Sequence, residues 1–316
     1  MKTAGGAAHN FAETAGPVFG DPLIWMEAFM ISERAFDLSG MPLEAATEKA
    51  IATWLANHGT TVVNQRGRYW RASHGGVFQP VHWMARLKSE EIRKPTPWCW
   101  GYRATLDDTA ATLANATLPV HFYDCPEGLD ASCLSKKKRH NLKICQKKVE
   151  IRPIEKLDLL VDEGYPLYLS ANARTGYGRR LSRAAFESHM ARFFDAGFIS
   201  VLGGFLDGRL GGYLISFCVE KTAYLDTLVL GTEDRVCQIG TGLKFAFLKY
   251  LGSRPGLVTE VIDGLHAREN EGLCIYKERM GFKIVQVPSR VWFMPGADKA
   301  LQICWPDKYY RLTGRS

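Results

Sequence analysis

The sequence predicts a mixed α/β (α+β) fold, a mostly antiparallel sheet flanked by helices and built in two successive halves. Three observations lead there. Helical and strand periodicities follow one another in an order that recurs: two helices, three strands, a helix and a strand, then a strand, two helices, three strands, a helix, a strand, a helix and closing strands. The chain has 316 residues, more than the ~100–200 of one ordinary domain. Its 46% hydrophobic and 23% charged residues give the balance of a chain that buries a core.

Asp21-Pro22 reads as an N-cap followed by proline at the first helical position, opening a helix over 23–36 with Trp25, Met26, Phe29 and Met30 on one face. A second helix starts near Pro42, carries Ala46, Ala50, Ile51, Trp54 and Leu55 at helical spacing, and stops at Gly59. The period then changes to that of strands over 60–65, 68–73 and 77–84, followed by a helix over 106–118 and a strand over 119–124.

In the second half, residues 149–154 read as a strand, 166–173 and 182–197 as helices, the latter capped by Ser182. Residues 198–208 and 210–220 are strands joined at Asp207-Gly208, a strong hairpin signal. A strand over 222–230, a helix over 241–253, a strand over 257–263, a helix over 270–282 and a final pair over 283–288 and 289–294 complete the order. The expected division is an N-terminal unit over 1–134, a basic linker helix over 135–148 and a C-terminal unit over 149–316.

Charge narrows the partners. The net charge is +7, from 40 Lys and Arg against 33 Asp and Glu, and residues 136–148 hold seven of those bases with no acid. Without that stretch the counts are equal, so Lys136, Lys137, Lys138 and Arg139 with their neighbours read either as a solvated helix face or as the footprint of an anionic partner such as a phosphate-bearing cofactor or RNA. The eight cysteines form no CxxC pair and do not cluster with histidine. They read as reduced thiols, and no metal is expected. No apolar run suits a signal peptide or a membrane span, so a cytoplasmic location is expected. Trp25, Trp54, Trp70, Trp83, Trp98 and Trp100 fall in the first hundred residues, as core or as the lining of an aromatic acceptor pocket.

The stretch that carries chemistry is RVCQIGTG, a glycine-containing turn between a strand and a helix. Unpaired backbone N–H groups and the positive end of the helix dipole converge there, which favours an anion. Arg235, Gln238, Ile239, Gly240, Thr241 and Gly242 are the candidate cofactor-binding residues. This turn resembles the R/Q-x-x-G-x-G/A pyrophosphate loop of the GNAT acyltransferases, with Gln238 where the first glycine is usual. Residues 266–282 are similar to the family's downstream signature, an Asn before a helix that bears a Tyr and ends in Gly-Phe. Asn270, Gly281 and Phe282 keep that spacing, while Tyr276 falls one place early and Lys277 takes the tyrosine's usual position. The basic segment looks like the linker helix of Fem-type and cellulose-operon-type members, which carry two GNAT-like units, so the N-terminal unit reads as a degenerate one.

The resemblance implies transfer of an acyl group from acyl-CoA to a small-molecule amine acceptor by direct attack. It implies a base for the ammonium proton and an acid for the leaving group. Asp226 is the candidate base, Tyr276 the candidate acid and His266 a second base. Tyr224 is placed on the face of Asp226 by the two-residue strand period, and Arg174, Arg179 and Arg180 lie in the loop that covers the acceptor in this family. The alternative donor is aminoacyl-tRNA, as in Fem-type transferases, and a third reading is a non-catalytic RNA-binding or scaffold protein.

Overall fold

The structure, a computed structural model, describes residues 36, 38, 41, 43–73, 76–124, 128–176 and 180–315. The helix expected over 23–36, with Trp25, and the loop residue Arg179 lie outside these apart from Phe36. The described chain begins with a two-residue strand β1 (Ala45–Ala46) and α1 (Glu48–Asn57), which starts six residues past Pro42 because Thr47 is the cap, its hydroxyl accepting from the N–H of Ala50. Then come β2 (Val62–Gln65), β3 (Arg68–Ala72), β4 (Val77–Pro80), β5 (Gly101–Thr105) and β6 (Ala116–Asp124).

The helix α2 (Lys136–Lys148) leads to β7 (Glu150–Pro153), α3 (Tyr165–Thr175), α4 (Arg183–Phe194), β8 (Ile199–Leu206), β9 (Arg209–Val219) and β10 (Thr222–Leu230). After these come α5 (Ile239–Gly252), β11 (Glu260–Leu265), α6 (Glu271–Arg279), β12 (Lys283–Phe293), α7 (Ala297–Cys304) and α8 (Pro306–Thr313). None of the described helices is long and apolar enough to cross a membrane.

The strands form one sheet in the order β2-β3-β4-β5-β12-β6-β11-β10-β9-β8-β7. Each half contributes an antiparallel meander that ends in a parallel pair: β4 beside β5, and β10 beside β11. The last strand of each half lies in the territory of the other. β6 pairs with β11, and β12 runs between β5 and β6. This exchange fuses both halves into a continuous sheet.

The structure departs from the sequence expectation at two elements. Only Asp108–Leu113 of the helix expected over 106–118 is helical, as a short 3-10 turn capped by Asp107, and β6 begins at Ala116. The Asn115 side chain donates to Val291 O and accepts from the Val291 N–H, which draws this segment into the sheet. The two closing strands are one, because β12 pairs with β6 over Lys283–Ser289 and continues onto β5 over Ser289–Phe293.

In the second half, alternate residues of the strands serve two layers. Leu202, Leu214 and Ala223 pack under α2 and α5, while Val201, Tyr213 and Ile215 pack under α3 and α4. The hairpin expected at Asp207-Gly208 is present, both residues having positive φ as a tight primed turn requires.

Candidate functional site

Two features of β10 and β11 make a site. Their parallel pairing covers only Thr222–Tyr224 against Glu260–Ile262, and beyond it the strands separate. The register of β10 against β9 also shifts between Leu225 and Thr227, so Asp226 is the extra residue of a β-bulge. Bulges re-aim a side chain. Asp226 is exposed, and its carboxylate accepts from Thr227 Oγ1 at 2.9 Å.

Asp226 lines a cavity of about 260 Å³ walled by α1, β3, α4 and strands β8 to β10. Trp54, Trp83, Phe193, Phe198 and Phe217 supply its aromatic surface. The Trp54 indole N–H donates to Arg192 O at 3.0 Å, tying α1 to α4 across the cavity. Tyr224 is also in the wall, as the strand period predicts, but its hydroxyl is engaged: it is hydrogen-bonded to His82 Nδ1 at 2.8 Å and accepts from the Met84 N–H at 3.3 Å. Burial holds His82 neutral, with its pKa lowered to about 4. Of the candidate tryptophans, Trp54 and Trp83 reach the cavity, Trp70 is fully buried core, and Trp98 and Trp100 are exposed.

The sequence did not single out Arg71, which stands in the cavity wall beside Asp226. Its Nε is buried and has no hydrogen-bond partner. Burial lowers its pKa, and the charge of Asp226 opposes that shift. An arginine in a strand carries no pattern that separates a cavity residue from an edge residue, so only its placement reveals it.

The opposite side of the same strands holds the glycine turn. Gln238 occupies the left-handed region at φ 60° where the resemblance expects glycine, and its side-chain amide folds back on Arg235 O. Gly240 and Gly242 face inward. A Cβ on Gly240 would lie 3.0 Å from Leu230 Cδ1 and 3.3 Å from the Tyr276 hydroxyl, and one on Gly242 would strike Cys145 Sγ and come within 2.8 Å of Ile151 Cδ1. These glycines admit α2, β7 and α6 against α5. Ile239 and Thr241 are buried with them, and Arg235 is exposed.

Beside this turn is a cluster of buried amines whose meeting the sequence did not reveal, although it named Lys138 and Lys277 separately. Lys138 Nζ donates to Thr241 Oγ1 at 3.2 Å and sits 3.8 Å from the centre of the Tyr276 ring. Lys244 on α5 and Lys277 on α6 both pair with Asp263, the residue of β11 immediately after its last pairing with β10. Burial lowers the Lys138 pKa to about 8, helped by the charges of Lys244, Arg279 and Lys137, and burial drives the Tyr276 hydroxyl far above its usual range. Among the described residues nothing meets that hydroxyl in full bonding geometry, although Thr241 approaches it.

The remaining candidates lie elsewhere. Asn270 caps α6, its Oδ1 accepting from the Leu273 N–H at 3.1 Å. His266 is hydrogen-bonded through Nδ1 to the Tyr310 hydroxyl at 3.1 Å and, like Tyr276, does not line the cavity. Arg174 donates to Leu230 O and Thr232 Oγ1, which places it beside the turn before α5 instead of over the cavity. Arg180 is exposed. Lys138, grouped by the sequence with the bases open to an anionic partner, is instead buried, only 5% exposed.

Comparison with known proteins agrees with this topology. The C-terminal domain of a candidate lysylphosphatidylglycerol synthetase from Agrobacterium fabrum superposes with a TM-score of 0.56, at 14% identity over 91% of this chain and 98% of that one. FemX superposes with a TM-score of 0.55, at 8% identity over 88% and 98% of the two chains. The chain has a GNAT-like fold in two units. A tandem GNAT protein from the clavulanic acid pathway is more distant, with a TM-score of 0.44 and 14% identity over 86% of this chain and 96% of that one. No family model and no curated protein matches the sequence. In the GNAT-like frame, the splayed pair β10 and β11 carries the cavity on one side and the lysine cluster on the other.

Proposed function

We propose that the protein is an N-acyltransferase whose donor is aminoacyl-tRNA and whose acceptor is an amine held in the cavity at Asp226. The observation that carries the choice of donor is the closed gap between α5 and α6. An acyl-CoA donor would run from the first turn of α5 to the point where β10 and β11 separate. That path is filled by Tyr276, Lys138 and the Lys244–Asp263–Lys277 cluster, and Gly240 and Gly242 face protein atoms. The residues present do not fit an acyl-CoA arm there.

The outer face of α2 suits a nucleic-acid donor. Lys136, His140, Lys143 and Lys147 recur at helical spacing on its exposed side, with Lys137 and Lys148 beside them. A polyanion's phosphates are attracted to such a stripe independently of sequence. Asp226 then takes a proton from the acceptor ammonium, the free amine attacks the ester carbonyl of the donor, and the ester C–O bond breaks as the ribose oxygen regains a proton.

The experiment is transfer of a labelled amino acid from charged tRNA to a panel of amines, run beside acyl-CoA. Label should move from tRNA, ribonuclease should abolish the transfer, and Asp226→Asn should slow it ~10²–10⁴-fold. Turnover that requires acyl-CoA and survives ribonuclease would overturn the choice of donor.

A further inference from the structure

The cavity has a polar composition that an amine site alone does not call for. Arg71 presents a guanidinium whose Nε is buried without a partner, and among the described residues it forms no ion pair within 4.0 Å. Asp226 shares the cavity but does not neutralise it by contact, its carboxylate being bonded among the described residues to Thr227 alone. A part-buried guanidinium left without an anion is costly, and its planar fork matches a carboxylate. One cavity therefore offers a cation that lacks its anion and an anion that lacks its cation.

The rest of the wall is apolar. Trp54 stacks on Phe193 at a centroid distance of 6.1 Å and meets Phe198 edge-on at 5.9 Å, so the ring faces are already ordered. Size sets the remaining limit. A dry cavity of ~150 Å³ holds a benzene molecule, and this one, at about 260 Å³, has room for a ring with several further atoms.

We infer that the cavity is a site for a free α-amino acid with an aromatic or large aliphatic side chain, its carboxylate on Arg71, its ammonium on Asp226 and its side chain against Trp54 and Phe198. This rests on the proposed function in that the bound amino acid is the acceptor. Its ammonium loses one proton to Asp226, its nitrogen forms the new amide bond, and its second departing proton goes to the leaving ribose oxygen. The product is an N-aminoacyl amino acid.

Binding alone tests this, with no donor present. L-phenylalanine, 2-phenylethylamine, 3-phenylpropanoate and glycine are titrated into the full chain by calorimetry. L-phenylalanine should bind at least about tenfold more tightly than the analogue lacking the carboxylate or the one lacking the ammonium, a difference of ~1.4 kcal/mol, and glycine more weakly still. Arg71→Met should reduce phenylalanine to the affinity of 2-phenylethylamine while leaving the latter unchanged, which also reports an intact cavity. Equal affinities for phenylalanine and 2-phenylethylamine in the unaltered protein, or no phenylalanine binding at millimolar concentration, would overturn the inference. The two readings fail separately: transfer to amines without a carboxylate removes this site but keeps the donor, and phenylalanine binding without transfer from charged tRNA does the reverse.

Discussion

Lys138 and Thr241 join the basic helix to the turn expected to hold a donor's phosphates, the ammonium of Lys138 donating to the Thr241 hydroxyl at 3.2 Å. Lys138, Leu142 and Cys145 are the buried stripe of α2, and α5 receives it at Gly242. A cation at the first turn of a helix opposes the helix dipole, so Lys138 stays there through burial against Tyr276 and not through charge complementarity. The basic segment thus has two roles on two faces, one packed and one exposed.

Lys138 gives stability a defined pH dependence. Its pKa is lowered from 10.5 to about 8 in the folded chain, so between these values the unfolded chain binds more protons and stability rises with pH. Below about pH 8 the amine is charged in both states and the cost of burying that charge is fully present. Lys138→Met should therefore be more stable than the unaltered protein at about pH 7, with the difference shrinking toward about pH 10. Urea unfolding at a series of pH values measures this, and a difference that does not change with pH would refute the assignment.

His82 and His121 act in the acid range. Burial lowers both from 6.5 to about 4, so their neutral forms contribute stability above the unfolded value that is lost as pH falls from 6.5 toward 4. Glu48 works in the opposite sense, since burial raises it to about 6 despite its bond to Arg68. Replacing His82 with Gln keeps a polar partner for Tyr224 and removes one titration. The variant should lose less stability than the unaltered protein between pH 6.5 and about 4, by unfolding midpoint. Parallel curves would show that His82 does not titrate there.

Much of this fold could be read in the chain. The meander β8 to β10 follows from strand runs joined at Asp207-Gly208, and α4 from its Ser182 cap, whose hydroxyl accepts from the Ala185 N–H. β5 could not be read. It starts at Gly101, directly after Trp98, Cys99 and Trp100, and its ladder partners are β4 and β12, the latter supplied from almost two hundred residues away. Gly101 is the only hint, since a Cβ there would lie 2.7 Å from Phe293 Cδ1. At the site, Asp226 and Tyr224 were legible because a carboxylate in an apolar strand needs a reason. Arg71, Lys244 and Asp263 acquire meaning only when distant elements meet.

Gly242 separates packing from ligand binding. If it exists to admit α2, Gly242→Val drives a side chain into Cys145 and Ile151 and should cost ~1–3 kcal/mol of stability, the usual penalty for overpacking. Transfer by the protein that remains folded should be nearly unchanged. Equilibrium unfolding and a rate normalised to folded protein check both halves. A variant of normal stability with a donor affinity lowered tenfold or more would instead return the glycine to a phosphate-binding role.

The exposed stripe of α2 offers the final test, and the buried position of Lys138 dictates which residues it uses. Reversing Lys138 would break its hydrogen bond to Thr241 and confuse folding with binding, and Arg139 donates to Leu134 O and Ser132 O at the start of the helix. Lys136, Lys143 and Lys147 are exposed on one side of α2 and make no such bonds among the described residues. Changing all three to Glu should leave the unfolding midpoint close to that of the unaltered chain. Binding of charged tRNA should weaken, and each phosphate that the helix no longer neutralises should remove ~0.7–0.9 from the slope of log affinity against log salt. With three phosphates released, the slope flattens by about two units or more. If both the affinity and the slope survive the triple change, the tRNA does not follow α2 and must be held by another surface.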